Sequence, residues 1–230
     1  MNAAVITVRR EPEYVFRSLL SLATSGGYPG PVHLFVGSDD DSYLAALAQN
    51  PRYVLHTMPS DEYAKIAGTS VTQKFNYNYW RALDYFAARG QGVCLCEDDV
   101  LYVEGFWNRL GAAVHEVGRD FDEYVLALYA TGDFAADETL RRGRHYASYP
   151  AHMFFGTQGM YFPPSTVRGQ ADYLRRRGVD RVEDPADLLI RDLCIERQYL
   201  YVAASSLVQH IGRVSTGLGH FHSSPTFQAV

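Results

Sequence analysis

The sequence predicts an α/β fold, with a mostly parallel sheet flanked by helices and a more mixed second half. Short apolar runs rich in β-branched residues alternate with longer segments whose apolar residues recur at helical spacing. This alternation is typical of parallel sheets built from strand–helix–strand units. Ligands of such sheets bind just beyond the carboxyl ends of the strands, and one strand of this chain ends in three consecutive acids.

The composition is that of an ordinary globular domain. The chain has 230 residues, of which 47% are hydrophobic and 20% are charged, so it can bury a sizeable core. A formal net charge of −5 gives no general affinity for nucleic acid or for anionic membranes. No apolar run approaches membrane-spanning length, and the first run is too short for a signal peptide. We therefore expect a cytoplasmic protein, or the soluble part of a longer enzyme.

The first half of the chain holds most of the predicted strand–helix–strand alternation. A buried strand is predicted at 3–8, and Pro12 suits the first turn of a helix at 11–23. The polar segment 59–73 is predicted to be irregular, and a helix with a regular apolar stripe is predicted over 74–88. Before the polar segment we expect a strand at 32–37, a short helix at 43–49 and a strand at 53–56.

The second half mixes strands, loops and helices less regularly, which suggests nucleotide chemistry in the first half and a substrate platform in the second. The expected elements are a helix at 105–117, a strand at 124–129, a surface excursion at 131–149, a glycine-interrupted strand at 153–162, helices at 164–177 and 184–197, and a strand at 199–204. No long linker separates them, so we expect one domain over 1–230. Its halves would span about 1–105 and 106–212, with a flexible tail at 213–230.

The acidic strand end is the most informative stretch of the sequence. The apolar run 93–96 is followed by Glu97, Asp98 and Asp99 before apolar character returns. Three adjacent carboxylates repel one another, and a hard cation such as Mg²⁺ or Mn²⁺ is the usual remedy. If the strand persists, Glu97 and Asp99 lie on one face of it. An acidic turn that caps a helix starting near Glu104 is the alternative that the spacing leaves open.

With this element order and the Glu97-Asp98-Asp99 motif, the chain resembles the GT-A glycosyltransferases, which have a Rossmann-like nucleotide-binding fold. In that family the acidic motif holds a divalent ion on the pyrophosphate of a sugar nucleotide. The resemblance implies Mn²⁺ or Mg²⁺ as the cofactor and Asp99 as a metal ligand. Glu97 and Asp98 would lie nearer the ribose or the metal's waters. The implied donor is a nucleotide sugar, with a UDP-sugar favoured.

Two later segments strengthen the resemblance. The segment 156–162, Gly-Thr-Gln-Gly-Met-Tyr-Phe, is similar to the acceptor-side strand of these enzymes, which implies Thr157 and Gln158 as acceptor-binding residues. The segment 206–212, Ser-Leu-Val-Gln-His-Ile-Gly, is similar to their C-terminal segment, in which a histidine reaches the metal. His210 would have that role, and neutral imidazole suits Mn²⁺ better than Mg²⁺. A purely structural histidine is the alternative.

The segment 185–190 makes the order of motifs most similar to the N-acetylglucosaminyltransferase IV family. There a comparable segment opens the helix that carries the candidate base, which implies Asp187 as the general base here. Leu188 stands where that family has an aromatic residue. The residues alone also allow a capping role, with Asp184 as N-cap, Pro185 as the first helical residue and Asp187 in the first turn.

Candidate donor-binding residues follow the first two predicted strands and open the long helix after them. Arg9 or Arg10 and Asp39 stand at strand ends that would face a nucleotide. Lys74 and Asn78 are one helical turn apart and would point a cation and an amide toward the donor. The alternatives are that Asp39 caps the next helix, and that Lys74 and Asn78 form a solvated helix start.

These residues predict a metal-dependent glycosyltransferase of the hexosyltransferase class, which moves a sugar to a hydroxyl acceptor of unknown kind. A base at Asp187 predicts inversion at the anomeric carbon. Two other classes remain open at this stage. A nucleotidyltransferase or another metal-dependent phosphate-handling enzyme could use the same acids. A non-catalytic sugar-binding domain on a decayed transferase fold would bind without turnover.

Overall fold

The computed structural model describes residues 1–7, 12–27, 30–37, 44–130, 143–150, 152, 154, 156–181, 184–212, 224 and 226–227. Within these ranges, no helix is both long enough and apolar enough to span a bilayer. The strands in these ranges are β1 Asn2–Thr7, β2 Val32–Val36, β3 Tyr53–His56, β4 Val93–Glu97, β5 Val100–Tyr102, β6 Val125–Ala127, β7 Tyr146–Ser148, β8 Gly159–Phe162, β9 Leu200–Ala203 and β10 Val208–His210.

Eight of these strands form the central sheet, in the spatial order β3-β2-β1-β4-β8-β6-β9-β7. The half built from β1 to β4 is parallel throughout. In the other half, β8 is antiparallel to both β4 and β6, β6 is parallel to β9, and β7 closes the edge antiparallel to β9. Strands β5 and β10 form a separate antiparallel pair. The predicted α/β fold with a mostly parallel sheet is confirmed.

Along each buried strand the side chains alternate between the two faces of the sheet. Both faces are therefore apolar, and helices cover both of them. Among the described residues, the helices are α1 Pro12–Thr24, α2 Ala45–Ala48, α3 Ser60–Ile66, α4 Val71–Ala87, α5 Phe106–Asp120, α6 Pro164–Leu174 and α7 Ala186–Arg197. Ala4, Ile6 and Leu95 join the core under α4, α6 and α7, whereas Ala3 and Val5 join the core under α1 and α5. A π-helical turn, Arg175–Val179, extends α6.

The prediction that 59–73 is irregular is wrong, because two helices occupy most of it. Helix α3 covers Ser60–Ile66, and only Ile66 among its residues is buried. Helix α4 begins at Val71, where the side chain of Ser70 caps it by accepting a hydrogen bond from Gln73 N at 3.2 Å. The polar character of the segment reflects the exposure of α3 to solvent.

Three boundaries in the second half also differ from expectation. Strand β7 lies inside the segment predicted as a surface excursion, and β8 covers only the end of the strand predicted at 153–162. Helix α7 begins at Ala186, and Pro185 rather than Asp184 is its N-cap, without a side-chain hydrogen bond. Strand β7 forms because it pairs with β9, a contact between distant segments that no local pattern encodes.

Part of the predicted flexible tail is docked on the body of the protein. Ser224 is 6% exposed, and its N–H donates to Gln209 Oε1 at 2.9 Å. Thr226 Oγ1 accepts from Ser206 N at 3.1 Å, and Phe227 packs against the core under α1 and α5. The flexibility of the tail stays a prediction. The rest of 213–230 lies outside the described residues.

Candidate active site

Strand β4 ends at Glu97, and the two aspartates that follow form a turn before β5. The alternation expected to put Glu97 and Asp99 on one strand face therefore stops at Glu97. Asp98 and Asp99 are 1% and 0% exposed. Two adjacent buried carboxylates repel each other when both are ionised, so this strand end favours a bound cation or a proton.

The antiparallel pair of β5 and β10 brings His210 to this turn. Val100 lies opposite His210 in the register, and Ile211 N donates to Asp99 O at 2.8 Å. As a result, His210 Nε2 lies 2.9 Å from Asp99 Oδ2. The structure thus joins the two side chains that the resemblance assigns to the metal.

Gly212 leaves room for this pair of side chains. A Cβ atom at Gly212 would lie 2.2 Å from Asp99 Oδ2 and 2.8 Å from His210 Nε2. Both distances are too short for a real contact, so any other residue here would displace Asp99 or His210. Glycine therefore keeps the space beside the carboxylate and the imidazole open.

Residues 156–158, which open the predicted acceptor-side strand, instead form a loop before β8, and this acceptor loop contacts Glu97 directly. Thr157 Oγ1 donates to Glu97 Oε1 at 2.8 Å, and Glu97 N donates to Gln158 O at 3.1 Å. Gly156 has a left-handed φ of +83°, and a Cβ there would lie 2.2 Å from Gln158 Nε2. Gln158 Oε1 is buried without a hydrogen-bond partner among the described residues. This oxygen can therefore accept a hydrogen bond from a ligand hydroxyl.

The carboxylate of Asp187 lies beside the same loop. Its Oδ1 accepts a hydrogen bond from Leu188 N at 2.9 Å, and the backbone N–H of Gly156 also donates to the carboxylate. Burial nonetheless raises the pKa of Asp187 above its ordinary value, because desolvation outweighs these bonds and the charge of Arg191. A raised pKa suits a proton acceptor. The bond to Leu188 shows that a helix-start role and a base role are compatible.

Asp99 and His210 fit a divalent cation that shares its coordination with a ligand. Their carboxylate oxygen and imidazole nitrogen lie 2.9 Å apart, and both are atom types that bind divalent cations. Among the described residues, no group of three or more His, Cys, Asp or Glu side chains is arranged to hold a metal. The remaining ligands would therefore be water and substrate phosphates, as is usual for Mg²⁺ and Mn²⁺.

Three of the predicted donor-binding residues lie outside the described residues, namely Arg9, Arg10 and Asp39. Lys74 is half-buried at the end of the first turn of α4, on the side of the sheet where the strands β1 and β4 end. Its predicted role toward the donor stays a prediction.

Asn78 makes buried contacts with the backbone that its predicted role did not include. It is 0% exposed, and its Nδ2 donates to Thr7 O at 3.1 Å and to Phe35 O at 2.9 Å. Gly37 permits this packing, because a Cβ there would lie 2.9 Å from Asn78 Nδ2. Asn78 therefore ties the ends of β1 and β2 together, and its predicted role toward the donor stays a prediction.

Tyr79 lies in the core on the apolar stripe of α4, and its hydroxyl interacts electrostatically with two acids of the candidate site. It is 0% exposed, and its hydroxyl has no hydrogen-bond partner among the described residues. Burial raises its pKa well above the ordinary value, and the charges of Glu97 and Asp187 act in the same direction. Tyr79 is thus within electrostatic reach of both carboxylates. Its helical spacing with apolar neighbours gave no signal of this position.

Comparisons with known proteins identify the fold. No protein-family model and no curated protein matches the sequence. Among solved structures, galactosyltransferase LgtC in complex with donor and acceptor sugar analogs matches 84% of this chain and 70% of its own, with a TM-score of 0.53 and 13% identity. The 1–349 fragment of S. aureus TarS matches 89% of this chain, with a TM-score of 0.57 and 14% identity. These neighbours are GT-A structures. This chain has the GT-A fold.

The GT-A likeness is a likeness of fold, since identities of this size say nothing about the reaction. The chain spans 58% of the TarS fragment and 35% of the longer TarS structure, which are both less than two thirds. The closer resemblance to the N-acetylglucosaminyltransferase IV family is not supported by the comparisons. Within the GT-A fold, the site described above lies at the junction of the parallel and mixed halves of the sheet, where β4 pairs with β8.

Proposed function

We propose that this GT-A protein is a metal-dependent glycosyltransferase, which transfers a sugar from a nucleotide-sugar donor to an acceptor hydroxyl with inversion. One observation carries the proposal: segments far apart in the chain converge at the end of β4. They put Asp99 beside His210, Glu97 beside Thr157, and Asp187 beside the loop that contains Thr157. A pair of metal ligands, a polar acceptor loop and a half-buried base are the parts that such a transfer requires.

Asp187 would take the proton from the acceptor hydroxyl. Its raised pKa, caused mainly by burial, makes the carboxylate a better proton acceptor than an exposed aspartate. The Gly156 and Leu188 N–H groups hold the carboxylate in one orientation. Gln158 Oε1, buried and without a partner among the described residues, would accept a hydrogen bond from the acceptor and help to orient it.

Asp99 and His210 would hold the cation, and Mn²⁺ is favoured over Mg²⁺ because imidazole is one of the two ligands. When bound, a divalent cation neutralises negative charge on the leaving diphosphate. Glu97 is already oriented by Thr157, and Asp98 is buried beside it. These two acids would orient the ribose or the water around the cation, as the GT-A resemblance implies.

A nucleotide-sugar donor is supported by the fold and by the position of the site. LgtC, which shares the fold, is a galactosyltransferase solved with donor and acceptor sugar analogs. Open sheets bind nucleotides at the carboxyl ends of their strands. In this protein β1, β2 and β4 are parallel neighbours, so their carboxyl ends lie at the same edge of the sheet. A base next to the acceptor loop favours one direct displacement, and therefore inversion. A UDP-sugar is the donor that we propose first, from the resemblance alone.

The rival functions differ in what they release. A nucleotidyltransferase would form diphosphate from a nucleoside triphosphate, and it has no use for a base beside an acceptor loop. A decayed, non-catalytic domain would bind a sugar nucleotide without turnover. The position of Asp187, which the Gly156 and Leu188 N–H groups hold beside the acceptor loop, favours the transferase over both rivals.

A panel of sugar nucleotides tests the proposal. The protein is melted with UDP-, GDP-, CMP- and dTDP-sugars in Mn²⁺, in Mg²⁺ and in chelator. The released nucleotide is assayed, which is a nucleoside diphosphate from the UDP-, GDP- and dTDP-sugars and CMP from the CMP-sugar. We expect one donor to raise the melting temperature only with metal, since a ligand that binds the native state stabilises it. The same donor should be hydrolysed slowly or transferred to a simple glycoside. The proposal is overturned if no sugar nucleotide stabilises the protein, or if only triphosphates are consumed.

A further inference from the structure

Two buried asparagines on α4 make the same kind of contact to opposite halves of the molecule. Asn76 and Asn78 are both 0% exposed, and in each case Nδ2 donates to two backbone carbonyls. Asn78 reaches the ends of β1 and β2 in the first half. Asn76 reaches Gly178 O at 3.1 Å and Asp184 O at 2.8 Å, across 102 and 108 residues of sequence. Helix α4 thus ties both halves to one rigid element.

The π-helical turn after α6 fits closely around Asn76. A Cβ at Gly178 would lie 2.7 Å from Leu174 Cδ1, 2.8 Å from Leu189 Cδ1 and 3.1 Å from Asn76 Nδ2. Only glycine therefore allows the turn to approach both α4 and α7. π-Helical turns are often found at functional sites, where they redirect the chain.

Asp184 stands immediately before the start of α7, which carries Asp187. The N-cap residue, Pro185, offers no side-chain hydrogen bond, so the usual means of fixing a helix start is missing. The bond from Asn76 to Asp184 O supplies an anchor two residues before the first helical residue, Ala186. Because the φ of Pro185 is restricted, fixing the carbonyl of Asp184 also restricts the orientation of the first turn of α7.

We propose that Asn76 is a positioning residue for Asp187: its amide fixes the start of α7 and so holds the carboxylate against the acceptor loop. The inference rests on the proposed function only in calling Asp187 the base. Asn76 itself touches neither a reacting atom nor Asp187. Its loss frees two backbone carbonyls and loosens the first turn of α7, while the ends of β1 and β2 stay tied by Asn78.

Two asparagine variants on one helix give a matched test. Asn76→Ala and Asn78→Ala remove the same group at the same burial, but from opposite halves. Backbone hydrogen exchange of Leu188 and Leu189 reports the first turn of α7. Carbon NMR titration of Asp187, assigned with Asp187→Asn, reports its surroundings, in which Arg191 of α7 and Tyr79 of α4 face it.

We expect Asn76→Ala to speed exchange at Leu188 and Leu189 by about fivefold or more, the factor of one net hydrogen bond. The pKa of Asp187 should move down toward its ordinary value, because a loosened helix start admits water. Asn78→Ala should change neither readout. The proposal is overturned if Asn76→Ala leaves both readouts as in the wild type, or if Asn78→Ala changes them equally.

A second variant and a kinetic readout complete the test. If Asn76→Ala does not fold, Asn76→Ser keeps one short donor and is read by the same exchange and titration. With a working donor, kcat should fall roughly tenfold to a hundredfold in Asn76→Ala while donor Kd stays constant. Loss of donor affinity with kcat unchanged would contradict positioning. If the wild type turns over no sugar nucleotide, the proposed function fails, and the exchange and titration results still decide the role of Asn76.

Discussion

Asp99 Oδ2 and His210 Nε2 lie 2.9 Å apart, although 111 positions separate the two residues in the chain. The short pair of β5 and β10 sets this distance, because its register puts Val100 opposite His210. The carboxylate is fully buried, and the imidazole is 15% exposed. In the proposed function these two side chains would hold a divalent cation, and water and substrate phosphates would supply its remaining ligands.

The first prediction concerns the charge of Asp99. Asp99→Asn keeps the size of the side chain but removes the charge that a cation needs. Donor affinity in Mn²⁺ should fall to the value that the wild type shows in chelator, and the fold should be kept, because burial of a charge is relieved. Calorimetric titration of the donor with and without Mn²⁺ measures this. A wild type that binds the donor equally well with Mn²⁺ and with chelator rules out the metal role.

The second prediction uses Gly212 to disturb the pair without removing either ligand. In Gly212→Ala, a Cβ at 2.2 Å from Asp99 Oδ2 must push the carboxylate or the imidazole aside. The Mn²⁺ concentration for half-maximal donor binding should rise. Gly111→Ala is the control, since nothing lies within 4 Å of a Cβ there and the site is inside α5. It should leave metal dependence unchanged and add about 0.5–1 kcal/mol of stability.

The third prediction separates a base from a helix cap at Asp187. Asp187→Asn keeps the acceptor oxygen for the Leu188 N–H but cannot take a proton. Turnover should fall by ~10²–10⁴-fold with donor affinity unchanged, the usual contribution of a positioned base. A cap-only role predicts instead that Asp187→Ala costs about 1 kcal/mol of stability and retains turnover. Single-turnover rates and urea unfolding of both variants decide between the roles.

The same substitution has a pH signature in stability. Because the folded pKa of Asp187 is raised, its ionisation is disfavoured by folding, and wild-type stability falls as pH rises through that pKa. Asp187→Asn should therefore gain melting temperature relative to the wild type toward neutral pH, and the gain should shrink as pH falls toward the ordinary carboxyl range. Asp192→Asn, half-buried on the same helix and bonded to Arg191, is the control for both rate and pH effects.

The fourth prediction concerns His56 on the edge strand β3. Burial, followed by the charges of His33, Arg81 and Arg89, lowers its pKa from 6.5 to about 4, and His33 Nδ1 lies 2.8 Å from His56 Nε2. A lowered pKa means that protonation opposes folding, so stability should be lost as pH falls from 6.5 to about 4. Urea unfolding across this window should show a smaller loss in His56→Gln. The exposed His115→Gln should behave as the wild type, and equal losses in all three proteins would contradict the assignment.

The fifth prediction concerns the docked end of the chain. Ser206 Oγ accepts from Ala130 N at 2.9 Å and lies 2.6 Å from Ser224 Oγ, with Ser206 only 1% exposed. Ser206→Ala leaves a buried N–H without its acceptor, so it should cost about 1–3 kcal/mol. Ser165→Ala, which removes an exposed hydroxyl on α6, should change stability by less than about 0.5 kcal/mol. Similar urea midpoints for the two variants would show that the Ser206 contact adds nothing.

The sequence by itself determined the parts of this protein that depend on short-range pattern. Apolar periodicity gave the parallel half of the sheet and the long helix α4, because strand and helix periods are local properties. Three consecutive acids marked the strand end at Glu97, because adjacent carboxylates repel one another in any fold. The motif order indicated the GT-A fold, which the structure comparisons confirm.

Only the tertiary structure decided which of these residues meet. The pairing of β5 with β10 brings His210 to Asp99, and the insertion of β8 beside β4 brings Thr157 to Glu97. Asn78 has the helical spacing expected of a ligand-facing residue, yet its Nδ2 donates to two backbone carbonyls near the ends of β1 and β2. Buried carbonyls without partners are costly, and the need to satisfy them arises only once the strands have assembled. These hydrogen bonds join residues that are far apart in the chain, so no periodic pattern in the sequence encodes them. The contacts between the site residues could therefore be found only from the fold.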